Sequence, residues 1–489
     1  MMRPATRILV IGGGPAGSTA AGLLAKEGFE VTLLEREHFP RYHIGESILP
    51  SCRPIFELLG VWDTIRSHGF QRKGGAYFFW GTEEWEVRFS SLDGDSSPED
   101  ASPDTPNAWQ VVRSEFDQLL LDHARKLGVE VAEGVTVREI EFDGQRPYAA
   151  RWSETGNPDH GGRITFDHLI DASGRAGVMS TRHLKSRQFH DVFRNVAAWS
   201  YWTNAKQLAK GPEGAIAVCS IPSGWFWAIP LHDGTMSVGL VTGRDNFTRQ
   251  RRELGSIEAV YHRALQACPA VSDLLDEATQ VAGMKVEQDY SYVSDRFTGP
   301  GYLLSGDSAC FLDPLLSTGV HLATYSGLLA AASIGSVLRG EVSEQRAHEF
   351  YATVYRHAYE RLLVLVSVFY DSCRGKDYHF YQAQRLTEQH RDSLHLQQAF
   401  DRIITGIADL DDAQDAYARV HAHLTGATSG DPNPLANLNK VHEQEQAPMS
   451  AEQAVGGLYL ALRPVLGLRT VQDGTVPETA SDRPAGARR

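Results

Sequence analysis

Three groups of residues have the types and spacing to do chemistry. The first is Gly12-Gly13-Gly14-Pro15-Ala16-Gly17, which spells G-x-G-x-x-G between an apolar run and a helical pattern. In such a turn the first glycine bends the chain tightly. The second lets backbone approach a pyrophosphate, and the third lets helix and strand pack closely with the helix N-terminus facing the anion. Glu35 ends the next apolar run 18 residues after Gly17 (35 − 17 = 18), where a carboxylate holds ribose hydroxyls; Arg36 follows it. The second group is Trp225 and Trp227 in Gly224-Trp225-Phe226-Trp227-Ala228-Ile229-Pro230; tryptophans at i and i+2 share one face of a strand. The third is Lys73 in Gln71-Arg72-Lys73-Gly74-Gly75-Ala76. Taken alone, an isolated lysine is a solvated surface charge.

The elements that must position these residues read as an α/β fold. Strand Ile8–Ile11, helix Ala16–Lys26 and strand Val31–Leu34 form a βαβ unit. An aromatic strand is expected over Gly74–Trp80. Residues 90–108, rich in Ser, Asp and Pro, are expected as a flexible loop. Ser114 is placed to cap a helix to about Leu127, with Asp117 at the capping-box position. Strands follow near Val129–Ala132, Val135–Phe142 and His168–Asp171, then an antiparallel sheet over about residues 190–290, a strand Tyr302–Ser305 and a helix from about Leu316 to Leu338. Residues 1–345 thus read as a Rossmann-type core with an inserted antiparallel sheet on the substrate side. Residues 346–470 read as a helical C-terminal domain, and 471–489 as a disordered tail.

A βαβ unit of this kind suits NAD as well as FAD. Three later segments decide for FAD: Ser305-Gly306-Asp307-Ser308-Ala309 after a strand, where Asp307 reaches a ribityl chain; Asp171-Ala172-Ser173-Gly174-Arg175 at the end of another strand; and Arg113 just before a helix. With Arg41-Tyr42-His43-Ile44-Gly45-Glu46-Ser47, these segments resemble the flavoprotein monooxygenase superfamily over about residues 7–340. The resemblance implies FAD held by the Gly12 loop with Pro15 and Ala16, by Glu35 and Arg36, by Arg41 and Ser47, and by Arg113 and Asp307. The aromatic hydroxylases of that superfamily have Asp-Gly where this chain has Asp171-Ala172-Ser173-Gly174, so direct reduction by NADPH is not expected.

Within the superfamily, Trp225-x-Trp227-x-Ile229-Pro230 resembles the signature of the flavin-dependent halogenases. There the two indoles wall organic substrate off from the flavin. Phe311-Leu312-Asp313-Pro314-Leu315-Leu316-Ser317-Thr318-Gly319 is similar to a second halogenase signature. It implies flavin contact at Pro314 and Gly319 and a halide site at Ser317, Thr318 and Gly319, where amides and a helix dipole favour anions. Lys73 matches the position of the halogenases' catalytic lysine. Such an amine either hydrogen-bonds hypohalous acid as an ammonium or traps it as a haloamine. No general base is identifiable; Glu46 lies on the flavin side and is not assigned that role.

The net charge of −14 excludes a general basic field for nucleic acid. The five cysteines are scattered without a C-x-x-C pair, which fits reduced thiols and no metal site. With no leader-like segment and no apolar run expected to cross a bilayer, the reading is cytoplasmic without a membrane partner. The resemblance is closest to halogenases of phenols, pyrroles and carrier-tethered intermediates. It implies a phenolic or polyketide-type arene, free or bound to a carrier protein that would need a local basic patch near Arg182–Arg187. Phe369-Tyr370-Asp371, Tyr378-His379-Phe380-Tyr381 and Phe400 offer aromatic lining, though such spacings also suit helix packing. No second G-x-G-x-x-G of suitable context exists, so a separate flavin reductase is expected to supply reduced FAD, with chloride or bromide as halide. The alternatives are a flavin-dependent aromatic hydroxylase, a flavin-dependent reductase of prenyl-like double bonds, and a non-catalytic flavin-binding partner. None of the three needs Lys73 together with Trp225, Trp227, Ile229 and Pro230.

Overall fold

The computed structural model describes residues 5–81, 83–89, 108–372 and 448–471. The loop expected at 90–108 lies outside these except for Ala108, as do Tyr378–Tyr381, Phe400 and the tail from 472. In chain order, the elements that build the site begin with β1 (Ile8–Ile11), α1 (Pro15–Lys26), β2 (Val31–Leu34), α2 (Trp62–His68), β3 (Gln71–Lys73), β4 (Gly75–Trp80) and β5 (Glu83–Arg88). They continue with α3 (Arg113–Lys126), β6 (Glu130–Ala132), β7 (His168–Asp171), β8 (Arg187–Thr203), β9 (Ile216–Ile221), β10 (Gly224–Pro230) and β11 (Thr235–Gly243). The last are α4 (Ile257–Gln266), β12 (Lys285–Ser294), β13 (Tyr302–Leu304), α5 (Gly319–Leu338) and α6 (Glu344–Ser372).

The nucleotide-binding sheet runs Thr298–Gly299, β13, β7, β1, β2, β6, and is parallel apart from the Thr298–Gly299 edge. All four residues of β1 are buried, as a central parallel strand requires. Helices α1 and α5 lie closely against each other. A Cβ on Gly327 of α5 would come within 2.8 Å of the Ala16 carbonyl oxygen, so the missing side chain permits the approach. Helix α5 is apolar and long enough to span a bilayer, contrary to the sequence reading that no run is, but it is packed inside the protein almost throughout.

The second sheet is larger than expected. Its order is Cys310–Phe311, β12, β8, β11, β10, β9, β4, β5, with Thr279–Gln280 attached to β8. The aromatic strand β4 joins it in parallel with β9, Ala76 opposite Ile216, so the sheet begins near residue 75 rather than 190. Period-two alternation gives it two apolar faces. Trp199, Trp225 and Trp227 enter the main core, whereas Ala198, Phe226, Val238 and Leu240 pack on Val260, Tyr261 and Ala264 of α4 in a second core.

Two local expectations are corrected. Ser114 does not cap α3; its N-cap is Val112 without a side-chain hydrogen bond, and Arg113 is the first helical residue. Asp117 is instead fully buried, accepting Arg113 Nε at 2.8 Å and Nη2 at 2.9 Å, with Arg41 Nη1 at 2.9 Å from its second oxygen. The C-terminal region is helical through α6, but 448–471 contains an antiparallel hairpin, Leu458–Ala461 with Gly467–Thr470, where helix was expected. Leu458, Leu460, Leu466 and Leu468 are buried, and Leu468 N–H donates to Ser336 Oγ of α5 at 2.8 Å. That spacing is the strand period, and Gly456 and Gly457, at φ +59° and +72°, turn the chain into it.

Replacing Asp117 by alanine leaves the buried Arg113 guanidinium without its carboxylate and leaves the partly buried Arg41 with only Glu37, 4.0 Å away. Unfolding in urea should show a loss of about 3–5 kcal/mol; a loss below about 1 kcal/mol would mean the pair contributes little to the fold.

Candidate active site

The Gly12 turn has the shape its spelling requires. Gly12 sits at φ +106°, and a Cβ there would fall 2.2 Å from the Ala172 carbonyl oxygen. A Cβ on Gly17 would fall 1.9 Å from the Gly12 carbonyl oxygen, whereas one on Gly14 would meet only Arg41 Nη2, at 3.5 Å. The turn is closed on the protein side and open at the N-terminus of α1, which is the side an anion occupies. Glu35 accepts the Gly13 amide at 2.6 Å and the Glu37 amide at 2.9 Å, so this carboxylate orders the turn itself. Arg36 points outward and pairs with Glu37.

Asp307 lies on the loop after β13, where Gly306 takes φ +63° and a Cβ on it would press against the Ala16 Cβ of α1 at 3.0 Å. Burial raises the Asp307 carboxyl above its ordinary range, opposed by the charges of Arg175, Arg113 and Arg187. No hydrogen-bond donor reaches this carboxylate among the described residues, which fits an acceptor waiting for ribityl hydroxyls. The residues present therefore fit FAD. Asp171, by contrast, is used by its own turn: it accepts the amides of Ser173 (3.0 Å) and Met179 (2.7 Å).

The 41–48 segment links the flavin cradle to the rest of the site. Arg113 Nη1 donates to the carbonyls of Ile44 (2.7 Å) and Gly45 (3.1 Å), while the backbone of Glu46 and Ile48 bonds to Val111 and Trp109. Ser47 is buried with its hydroxyl unpartnered. Lys73, at the end of β3, is 1% exposed rather than a surface charge. Its Nζ donates to the Ile48 carbonyl at 3.1 Å and lies 5.3 Å from the centre of the Phe89 ring. Burial lowers its pKa from the ordinary 10.5 to about 7, slightly opposed by the Cys52 thiol.

Trp225 and Trp227 lie side by side on one face of β10, with ring centres 6.1 Å apart, and Trp199 extends the row, 6.2 Å from Trp227. Gly239 pairs with Trp199 on one side and Trp227 on the other, and the Trp227 indole covers it so closely that a Cβ would fall 2.1 Å from the ring. Trp227 Nε1–H donates to Ser237 Oγ at 3.2 Å. Trp199 Nε1–H donates to the Tyr42 hydroxyl at 2.6 Å, Tyr42 and Tyr201 hydroxyls are 2.9 Å apart, and Tyr201 donates to Glu46 at 2.7 Å. Burial holds the Glu46 carboxyl up at about 7, against the opposing Tyr201 hydrogen bond.

At the second signature, Pro314–Leu316 makes a short turn, Ser317 takes φ +59° and Thr318 precedes α5. Thr318 Oγ is buried without a partner and Gly319 is exposed. A donor without an acceptor at a helix start is what an anion site requires. The sequence reading missed Asp117, Trp199 and the Tyr42–Tyr201–Glu46 chain. Asp117 was visible only as a position in a helix, and the others sit far apart in sequence. Of the expected basic patch, Arg187 turns inward over the Tyr292 ring, 3.8 Å away, and Arg182 donates to the Val137 carbonyl at 3.4 Å.

The sequence profile described as tryptophan halogenase matches residues 7–97 and 85–420. A tryptophan 2-halogenase from Chondromyces crocatus is 42% identical over 520 aligned residues, covering 99% of this chain and 97% of that protein. The chain belongs to the flavin-dependent halogenases. A sulochrin halogenase from Aspergillus terreus is 41% identical over 386 residues, 74% of this chain and 68% of that protein. Among solved structures, the myxobacterial chondrochloren halogenase CndH superposes with a TM-score of 0.72 at 34% identity, covering 88% of this chain and 99% of that one. The flavin-dependent halogenase CmlS gives 0.71 at 36%, covering 79% and 68%. In this halogenase the indoles stand on the larger sheet and the buried amine on β3, which pairs antiparallel with Ala108–Gln110; the 41–48 segment touches both, through Tyr42 on Trp199 and Ile48 on Lys73.

Lys73 carries a pH signature. Below about 7 it is protonated in folded and unfolded chains alike, and burying its charge weakens the fold fully. From about 7 to 10.5 the unfolded chain binds more protons than the folded one, so stability rises with pH. Urea unfolding of wild type against Lys73→Met should therefore shift in favour of wild type between pH 7 and 9.5; a pH-independent difference would place a charged lysine in the fold.

Proposed function

We propose that this enzyme uses reduced FAD, O2 and chloride or bromide to halogenate a phenolic or polyketide-type aromatic ring, free or carrier-tethered, in cytoplasmic natural-product biosynthesis, antibiotics included. Bound reduced flavin supplies, with O2, the oxidation of halide to hypohalous acid. The chain's own residues do the rest. Thr318 and the start of α5 hold halide, the indoles of Trp225 and Trp227 keep the arene away from the flavin side, and Lys73 receives hypohalous acid and presents it to the ring. The observation that carries this reading is the Lys73 amine, enclosed at 1% exposure with its Nζ on the Ile48 carbonyl; burial lowers its pKa to about 7. Such a group is available at neutral pH both as a donor that polarises hypohalous acid and as a neutral amine that traps it. A separate flavin reductase is the proposed source of reduced FAD.

The sulochrin halogenase similarity favours a phenol. A second reading, an indole substrate, is favoured by the similarity to the Chondromyces crocatus tryptophan 2-halogenase over nearly the full length. Both share the same proposed chemistry up to the arene.

The test is purified protein with FAD, a flavin reductase, NADH, bromide and a panel of phenols, carrier-loaded phenols and tryptophan, read by product mass. Wild type should give a bromine isotope pair. Lys73→Ala should lose about 10²-fold or more of it while retaining FAD. Oxygen addition unaffected by the substitution would make this a hydroxylase, and a brominated indole alone would select the second reading.

A further inference from the structure

Outside the flavin and lysine sites, three side chains from three separate elements converge. His68 is the last residue of α2, Glu115 lies in the first turn of α3, and His232 follows β10 in the turn to β11. His68 Nε2 stands 2.7 Å and His232 Nε2 3.2 Å from the same oxygen, Glu115 Oε2. All three ligand atoms lie within 4.8 Å of one another. Among the described residues the three side chains have no polar partners but each other, and the Nδ1 of His232 is buried without one. Phe70 fixes both rings, its centre 4.2 Å from that of His68 and 5.3 Å from that of His232.

We infer that His68, Glu115 and His232 form a binding site for one divalent transition-metal ion of the zinc type. Two imidazole nitrogens and a carboxylate oxygen with water completing the shell are a donor set for Zn²⁺. Metal bonds of ~2.0–2.2 Å at tetrahedral angles place donors ~3.3–3.5 Å apart. The His232–Glu115 spacing is already close to that, and the His68–Glu115 spacing needs to open by roughly 0.6–0.8 Å. The side chains are 20–40% exposed, which leaves an entry path and room for water.

The position gives the ion a structural task. His68 precedes Lys73 by five residues, His232 follows Trp227 by five, and Glu115 follows Arg113 by two. A bound ion ties together the three stretches that carry the lysine, the indoles and the arginine of the flavin segment. It takes part in no chemical step.

The experiment uses full-length protein stripped with EDTA and dialysed. It is titrated with ZnCl₂ by calorimetry, and its metal content is measured after gel filtration. Wild type should keep a zinc equivalent that His68→Gln, His232→Gln and the isosteric Glu115→Gln each weaken by about tenfold or more. Circular dichroism and flavin content report that the variants are folded. Thermal unfolding should move upward with zinc in wild type and not in the His68→Gln/His232→Gln double variant. No retained zinc in wild type, or undiminished affinity in the folded double variant, would overturn the assignment. Equal binding of Mg²⁺ would contradict the nitrogen-rich donor set.

Discussion

One buried carboxylate constrains the rest of this site. Asp117 sits in the core with two guanidinium groups on it, Arg113 through a two-pronged pair and Arg41 through its second oxygen. Burial alone would push its carboxyl up, yet the two arginines outweigh that and hold it below its ordinary value. The charges are thus compensated where they lie. The consequence is positional. Arg113 has one nitrogen left for the carbonyls of Ile44 and Gly45, and Arg41 stands beside Gly14 of the flavin turn. The same cluster therefore fixes the 41–48 segment and one wall of the flavin cradle.

From that segment two side groups reach in opposite directions. The Ile48 carbonyl accepts the Lys73 amine, and the Glu46 carboxylate accepts the Tyr201 hydroxyl on the sheet that carries the indoles. Both ionisable groups are almost fully removed from water and have few compensating charges, so desolvation moves them toward neutrality from opposite sides, the lysine down and the glutamate up. Low dielectric surroundings serve the proposed chemistry twice: they make the amine available in either protonation state, and they exclude water that would carry a small oxidant away.

Much of this was legible in the sequence because it is local. The glycine turn is dictated by positions 12, 14 and 17 alone, and the structure shows the close approaches that the spelling demands. The i, i+2 tryptophans lie on one strand face for the same reason. What was not legible depends on distant partners. Asp117 occupies a helix position where an acid serves a cap, and only the fold brings Arg41 to it. Lys73 looks like a surface charge until β3, Ile48 and Phe89 enclose it. Trp199 belongs to the wall through its register with Gly239, 40 residues away (239 − 199 = 40). The C-terminal hairpin was misread because its leucines alternate over only two short strands, too few to stand out against the long helical pattern before them.

The central claim is that the fold strips Lys73 of its solvent and brings its amine to the edge of neutrality. The most direct measurement is an NMR titration of protein labelled at the lysine side chains, with the Lys73 signal assigned by its loss in Lys73→Arg. The account predicts a midpoint near 7. A midpoint near the ordinary 10.5 would mean the amine is solvated and charged at neutral pH, and would contradict it.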